Sequence, residues 1–284
     1  MDVSRSSAKV FAAKFGSSVL GFVAIAIFAR ELGSQILGQF FLFQGLIYLL
    51  SQVADFGFRS ATVKRISEGS ERGAFASSAV LIKLFPLTMV CGGVIVSAPY
   101  IEQYVGLNIA LLIAITIFIR EYAQLALHIV QAELRVGETA VIIFFRQIVW
   151  ICVGYVLIRW GAIGLAIAWT ASHILVLLWA GWKIEIDFQI PSIYHARSLF
   201  QFAKFQFVSS LGGLSFNWVD SLVIALFMTS AAVGSYEIGW RVTSVPLILT
   251  GAIATTIFPK ISSKDLKSEK KSIGNLISSV VVPA

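Results

Sequence analysis

Apolar residues in this chain gather in long blocks rather than alternating with polar ones. A helix rising ~1.5 Å per residue needs about 20 mostly apolar residues to cross a membrane's hydrocarbon core. Eight stretches approach that length, at roughly 11–30, 37–54, 76–98, 108–130, 141–158, 161–182, 205–228 and 237–258, and a ninth begins near Ser272. Several contain Gly, Ser and Thr, which allow membrane helices to approach closely. The pattern predicts an all-α, polytopic transmembrane bundle of eight complete helices and the start of a ninth.

The cations between these blocks are distributed unevenly. One set of loops holds Arg5, Lys9 and Lys14, then Arg59, Lys64, Arg65 and Arg72, then Arg135, then Lys183, Arg197 and Lys204, then Lys260, Lys264, Lys267, Lys270 and Lys271. The opposite set holds only Arg30 and Arg159. Cationic loops stay in the cytoplasm, so the N-terminus is expected inside, with odd-numbered helices running outward. The net charge of +7 is therefore read as membrane orientation, not as a nucleic-acid surface.

Composition agrees, with 57% hydrophobic and 13% charged residues, where soluble domains carry about 25% charged. Phe15–Ala29 behind Arg5, Lys9 and Lys14 also has the form of a signal peptide. An uncleaved first helix is the expectation, because its loss would spoil the charge alternation. Cys91 and Cys152 lie in apolar runs without metal-ligand spacing and read as packed hydrophobes. Trp160, Trp179 and Trp182 fit interfacial anchors. Tyr194–Lys204 reads equally as an amphipathic helix in the cytoplasmic interface or as an early start to the seventh span.

An internal repeat organises the chain further. Ala29–Phe40 aligns with Ala225–Tyr236 at an offset of 196, pairing Ser34 with Ser230 and Gly38 with Gly234. One helix later, Lys64-Arg65-Ile66-Ser67 aligns with Pro259-Lys260-Ile261-Ser262 at an offset of 195. The offset spans six helices, so the copies enter the membrane from the same side, as parallel repeats about an axis along the membrane normal do. The expectation is a six-helix N-terminal lobe over 1–182, a cytoplasmic or interfacial linker over 183–204, and the start of an incomplete C-terminal lobe over 205–284. A second lobe truncated in this way is not expected to transport by itself.

Ala29-Arg30-Glu31-Leu32-Gly33, Gly38-Gln39-Phe40, Ala54-Asp55-Phe56-Gly57 and Val63-Lys64-Arg65 resemble the opening helix pair of the polysaccharide-transporter family. So do Asn217, Asp220, Gly234-Ser235-Tyr236 and Phe258-Pro259 in the second pair. That family contains the O-antigen and exopolysaccharide flippases and belongs to the multidrug/oligosaccharidyl-lipid/polysaccharide exporter superfamily. Ser34 stands where the family usually has Pro. The resemblance implies a two-lobe (six + six) transporter fold in the bacterial inner membrane. It also implies a flippase for undecaprenyl-diphosphate-linked oligosaccharide in O-antigen, lipopolysaccharide or exopolysaccharide biosynthesis, working by alternating access. Membrane lipids, a polysaccharide polymerase and other assembly-pathway proteins are the implied partners.

Nothing in the sequence points to catalysis. There is no G-x-x-x-x-G-K-[ST] phosphate loop, H-E-x-x-H, C-x-x-C or G-x-S-x-G. Ionisable groups inside the spans are the functional candidates, because each costs several kcal/mol unless paired or hydrated. Thr116, Arg120, Gln124, His128, Gln131 and Arg135 follow one face of the fourth stretch. Arg120 lies about 18 Å from its outer end. It is read as a ligand for a diphosphate, or as one half of an ion pair with a carboxylate.

Gln206, Ser210, Gly213, Asn217 and Asp220 form a similar face on the seventh stretch. Asp220 is read as the site of a coupling proton or sodium ion, or as the partner of a cation such as Arg120 or Arg241. Lys83 and Arg146 either line the cavity or snorkel. Arg241 is spaced to pair with Glu237, and Asp55 with Arg59. His173 is read as a packed, hydrogen-bonded residue. The candidate substrate-binding set is Arg120, Gln124, His128, Lys83, Arg146, Asn217 and Arg241, with no metal and no organic cofactor expected. Interior cations outnumber carboxylates, which suits an anionic cargo better than the cationic drugs of a multidrug exporter. A membrane-embedded glycan-modifying enzyme should carry a His or Asp cluster in a loop, and the outer loops hold almost none.

Overall fold

The computed structural model describes residues 3–243, except the side chains of 3–11, 14 and 211–217. The ninth stretch, most of the eighth, the cations from Lys260 to Lys271, Phe258-Pro259 and the repeat arm Pro259–Ser262 lie outside the described residues. Those described form helices, turns and one extended segment, with no strand. A bilayer core imposes this economy, because each helix satisfies its own backbone groups.

Helix α1 (Val3–Asp55) contains both of the first two expected stretches, separated at Gly33. Gly33 has φ 75° and ψ 173°, a region essentially reserved for glycine. The consequence is a sharp bend. Phe28 and Phe40 would stand about 18 Å apart along a straight helix, yet their ring centroids lie 5.5 and 5.9 Å from that of Trp150. At the far end, Phe56 (φ 47°) and Gly57 (φ 82°) are both left-handed and turn the chain into α2 (Phe58–Ser67). A side chain at Gly57 would collide with the Ala203 carbonyl.

The remaining helices are α3 (Arg72–Val96), α4 (Ala98–Val105), α5 (Ala110–Ala132), α6 (Val136–Val156), α7 (Gly161–Lys183), α8 (Ile193–Asn217), α9 (Val219–Phe227) and α10 (Ser230–Thr243). Five helical segments are long and apolar enough to cross a membrane: Phe15–Asp55, Arg72–Val96, Ala110–Ala132, Val136–Val156 and Ile158–Lys183. The count of eight is not reached among the described residues, for three reasons. Two stretches share α1, the seventh is divided at Trp218 between α8 and α9, and the eighth runs beyond Thr243.

Helix α5 sits at the centre, packed between α3 and α7 and also touching α1 and α2. Phe28, Phe40, Phe41, Phe43, Trp150 and Trp169 fill the core beside it. Inside a bilayer such packing gains van der Waals contact rather than release of water, so close fit matters more than apolarity. Tyr194–Lys204 belongs to the start of α8, where Leu199 and Ala203 pack against Phe58 and Ala61. Residues 184–192 precede it as an extended segment, tied down by Arg135, which donates to the Lys183 carbonyl and pairs with Glu185, both at 2.8 Å. Cys152 departs from its expected place, being exposed on the outer face of α6.

Candidate functional site

The end of α1 carries Asp55, and the left-handed turn after it brings Arg59 of α2 back to its carboxylate at 2.9 Å. From α3, Lys83 reaches the same Asp55 oxygen at 2.6 Å and Glu121 of α5 at 2.8 Å. Arg120 closes the chain by pairing with Glu121 at 2.9 Å. Neither Lys83 nor Glu121 has any exposed surface. Five charges from four helices, four of them buried and Arg59 half-buried, thus form one connected network with three cations and two carboxylates. Its geometry answers the desolvation that burial imposes on each ion.

A second group is centred on Tyr48, on the half of α1 that follows Gly33. The guanidinium of Arg120 stands 4.5 Å from the Tyr48 ring centroid. Trp218 stacks on the same ring at 4.8 Å, and Trp169 packs against it at 6.0 Å. Arg146 of α6 and Arg241 of α10 both lie within electrostatic reach of Tyr48. Arg241 is also placed 4.8 Å from the Phe41 ring, 3.5 Å from the Gln44 amide oxygen and 3.6 Å from Glu237. Arg120 thus stands on the Tyr48 ring, and Arg146 and Arg241 lie in its wider electrostatic surroundings. Among the described residues, no carboxylate lies within ion-pair distance of Arg146.

The sequence candidates divide accordingly. Arg120, Arg146 and Arg241 come together around Tyr48. Lys83 does not join them and does not snorkel; two carboxylates enclose it. Gln124 and His128 are half-buried further along α5, with the His128 ring bonded to the Gln124 carbonyl at 2.7 Å. The Asn217 side chain lies outside those described. Asp220 accepts a hydrogen bond from the Tyr236 hydroxyl, while Arg120, one of its proposed partners, is turned to Glu121. His173 is packed as expected, its Nδ1 2.8 Å from the Trp169 carbonyl.

Counting Asp55, Arg59 and Glu237 inside the bundle narrows the excess of interior cations to one. Sequence reasoning missed Tyr48, although Gln44, Tyr48, Ser51 or Gln52, and Asp55 follow each other at helical spacing through an otherwise apolar run.

Comparison with known proteins places this geometry in context. A sequence profile for the family described as polysaccharide biosynthesis protein matches residues 4–264. The chain is similar to the probable low-salt glycan biosynthesis flippase Agl15 of Haloferax volcanii, at 40% identity over all of this chain and 61% of that protein. It is also similar to the probable flippase AglR of the same organism, at 26% identity over 92% of this chain and 56% of that protein. The chain thus spans about three fifths of the length of these curated relatives. No solved structure matches it.

Proposed function

Because the chain belongs to the polysaccharide biosynthesis protein family, we propose that it moves a lipid-linked glycan across a membrane, as a transporter and not an enzyme. One observation carries the reading. Within a bundle built to cross a bilayer, Arg120, Arg146 and Arg241 converge on Tyr48 with only Glu121 and Glu237 to balance them. Guanidinium groups match phosphate oxygens with paired hydrogen bonds. An arginine without a carboxylate inside a membrane has a reason to be there when the cargo is an anion.

Arg146 is the primary phosphate ligand in this proposal, since Arg120 already shares Glu121 with Lys83. The lipid tail stays in the bilayer while phosphate and sugars pass the arginines, and alternating access between two lobes delivers them. The chain is placed as a multi-pass plasma-membrane protein with a cytoplasmic N-terminus, and Asp220 is the candidate for a coupling proton or sodium ion. Undecaprenyl diphosphate and O-antigen or exopolysaccharide assembly are the bacterial form of this proposal. Of the two similar proteins of Haloferax volcanii, one is named for low-salt glycan biosynthesis, and a site that reads phosphate is not restricted to one lipid carrier. Cationic drugs are poorly served, because Glu121 and Glu237 each already hold a partner.

The test is Arg146→Gln in a protein that carries both lobes, reconstituted in proteoliposomes, following translocation of a fluorescent polyprenyl-diphosphate-linked disaccharide. Loss of a charge-assisted phosphate contact worth about 1.5–3 kcal/mol should slow transport roughly tenfold or more. Yield and thermal stability should be kept, with partial rescue by Arg146→Lys. Unchanged transport by a stable Arg146→Gln protein would remove Arg146 from the site.

A further inference from the structure

Where the second half of α1 meets α10, two glycines touch through their backbones. A Cβ on Gly38 would overlap the Ser230 carbonyl and come 3.0 Å from the Gly234 nitrogen. A Cβ on Gly234 would overlap the Ser34 carbonyl and come 3.0 Å from the Gly38 nitrogen. The contact is reciprocal, and its four members are the positions that the internal repeat aligns at an offset of 196. Reciprocity of this kind is what a two-fold axis produces at an isologous interface. The axis here relates two segments of a single chain.

Beside the crossing lies a cavity of about 690 Å³, with Gln35, Gln103, Tyr104, Thr229 and Ser230 in its wall and no charged side chain. The Tyr104 hydroxyl donates to the Leu222 carbonyl and fixes α4 to α9 at this edge. The charged network is at the opposite end of the same α1 segment. The sides of the bundle are thus unlike: one is closed by bare backbone and uncharged groups, the other held by ions.

We infer that the Ser34–Gly38 and Ser230–Gly234 crossing is a gate, closed in this structure, that must part to release the glycan on the side of Gly33. The inference rests on the transport reading above. Two flat backbone surfaces are suited to the task because they form a tight seal without side chains that would have to be desolvated again at each closure. The uncharged cavity beside the seal offers hydrogen-bonding groups to sugars and no charged side chain to hold a phosphate, so a cargo passing it is not retained.

Two measurements on the full chain, with Cys91 and Cys152 replaced by Ala, decide the matter. In the first, Gln35→Cys and Ala231→Cys, which face the same cavity, are joined by a short thiol-cleavable cross-linker. Translocation of the same fluorescent disaccharide lipid should stop and then return on cleavage. Complete cross-linking without loss of transport would overturn the gate. In the second, Gly38→Ala and Gly234→Ala are each combined with Gln44→Cys, a buried position. Either alanine should raise the reactivity of that cysteine towards a membrane-impermeant maleimide about tenfold by shifting the population towards the open form. Unchanged reactivity in folded protein overturns the gate as well. The thiol measurement needs no cargo. Since residues 1–284 are not expected to transport by themselves, translocation is read in a protein that carries both lobes. A parent of that kind that fails to move the disaccharide lipid counts against the transport reading, while the reactivity still decides the gate.

Discussion

Replacing Glu121 by Gln should destabilise this protein more than replacing Lys83 by Met, although both residues are fully buried and both make two ion pairs. The reason is the charge left behind. The network of Asp55, Arg59, Lys83, Glu121 and Arg120 carries a net charge of +1. Without Lys83, Asp55 keeps Arg59 at 2.9 Å and Glu121 keeps Arg120 at 2.9 Å. The remainder is neutral and fully paired. Without the Glu121 charge, three cations face the single carboxylate of Asp55, and Arg120 loses its ionic partner.

Stranding a buried charge costs about 3–5 kcal/mol. Exchanging Lys83 for an apolar side chain of similar length should cost under about 2 kcal/mol, because no ion is orphaned. At roughly 2–4 °C per kcal/mol for a chain of this size, the Glu121→Gln midpoint should fall by about 10 °C and the Lys83→Met midpoint by less than half as much. Fluorescence-detected size exclusion of detergent-solubilised protein after a heating series reads that order directly. The double variant should fall short of the sum of the two, since neighbours in one ionic network are not additive. An equal or reversed order would refute the charge accounting. So would a silent Glu121→Gln, because an isosteric amide is harmless only where the carboxyl carries no charge.

Two shorter tests address the frame that holds the site. Gly33→Val forces a β-branched side chain into φ 75°, ψ 173°; it should cost about 1–3 kcal/mol and reduce the yield of folded protein. For orientation, Gln103→Cys and Asp187→Cys replace exposed residues at opposite ends of the bundle. An impermeant reagent should label the first in intact cells and the second only after permeabilisation, and the reverse result would invert the assigned topology.

The apolar runs locate the five helical segments long enough to span, though not where helices join or divide, because in a bilayer length and hydropathy are what a spanning helix is made of. Arg120 could be singled out for a related reason: its depth alone demanded a partner. Its company could not be found that way. Asp55, Lys83 and Glu121 stand 28 and 38 positions apart, and no local rule joins them until α1, α3 and α5 pack. Arg59 is a loop cation in the sequence, but its spacing from Asp55 already predicts their ion pair, which the structure makes across the left-handed pair Phe56-Gly57. Cys152 fails in the other direction, since an apolar run does not say which of its faces meets lipid. The repeat was faint as a sequence alignment, with few identities. It acquires physical content once Gly38 and Gly234 are seen to need each other's bareness.

These contacts differ in kind from place to place, and the difference bears on where the molecule can move. Between α1, α2, α3 and α5 the joints are ion pairs at 2.6–2.9 Å with little or no solvent. Separating them would expose several charges to hydrocarbon at once, so these four helices are bound to travel together. The joints that α9 and α10 make with α1 are of another sort: glycine backbones in van der Waals contact, the Trp218 ring on Tyr48, and the Arg241 guanidinium at 3.5 Å from Gln44. Parting them strands no full charge other than Arg241, which keeps Glu237 on its own helix. The cheapest plane of separation therefore runs between the second half of α1 and α9–α10. Tyr48 and its arginines lie on that plane: Arg120 and Arg146 on one side, Arg241 on the other. A phosphate between Arg146 and Arg241 would add a contact across this plane, while Arg120 and Arg241 each keep a carboxylate of their own. On the proposal that binding and gating are linked through the same arginines, Arg241→Gln should weaken the dependence of Gln44→Cys reactivity on added lipid diphosphate even where cargo still binds to Arg146. A dependence left intact in that variant would show that the two are separate.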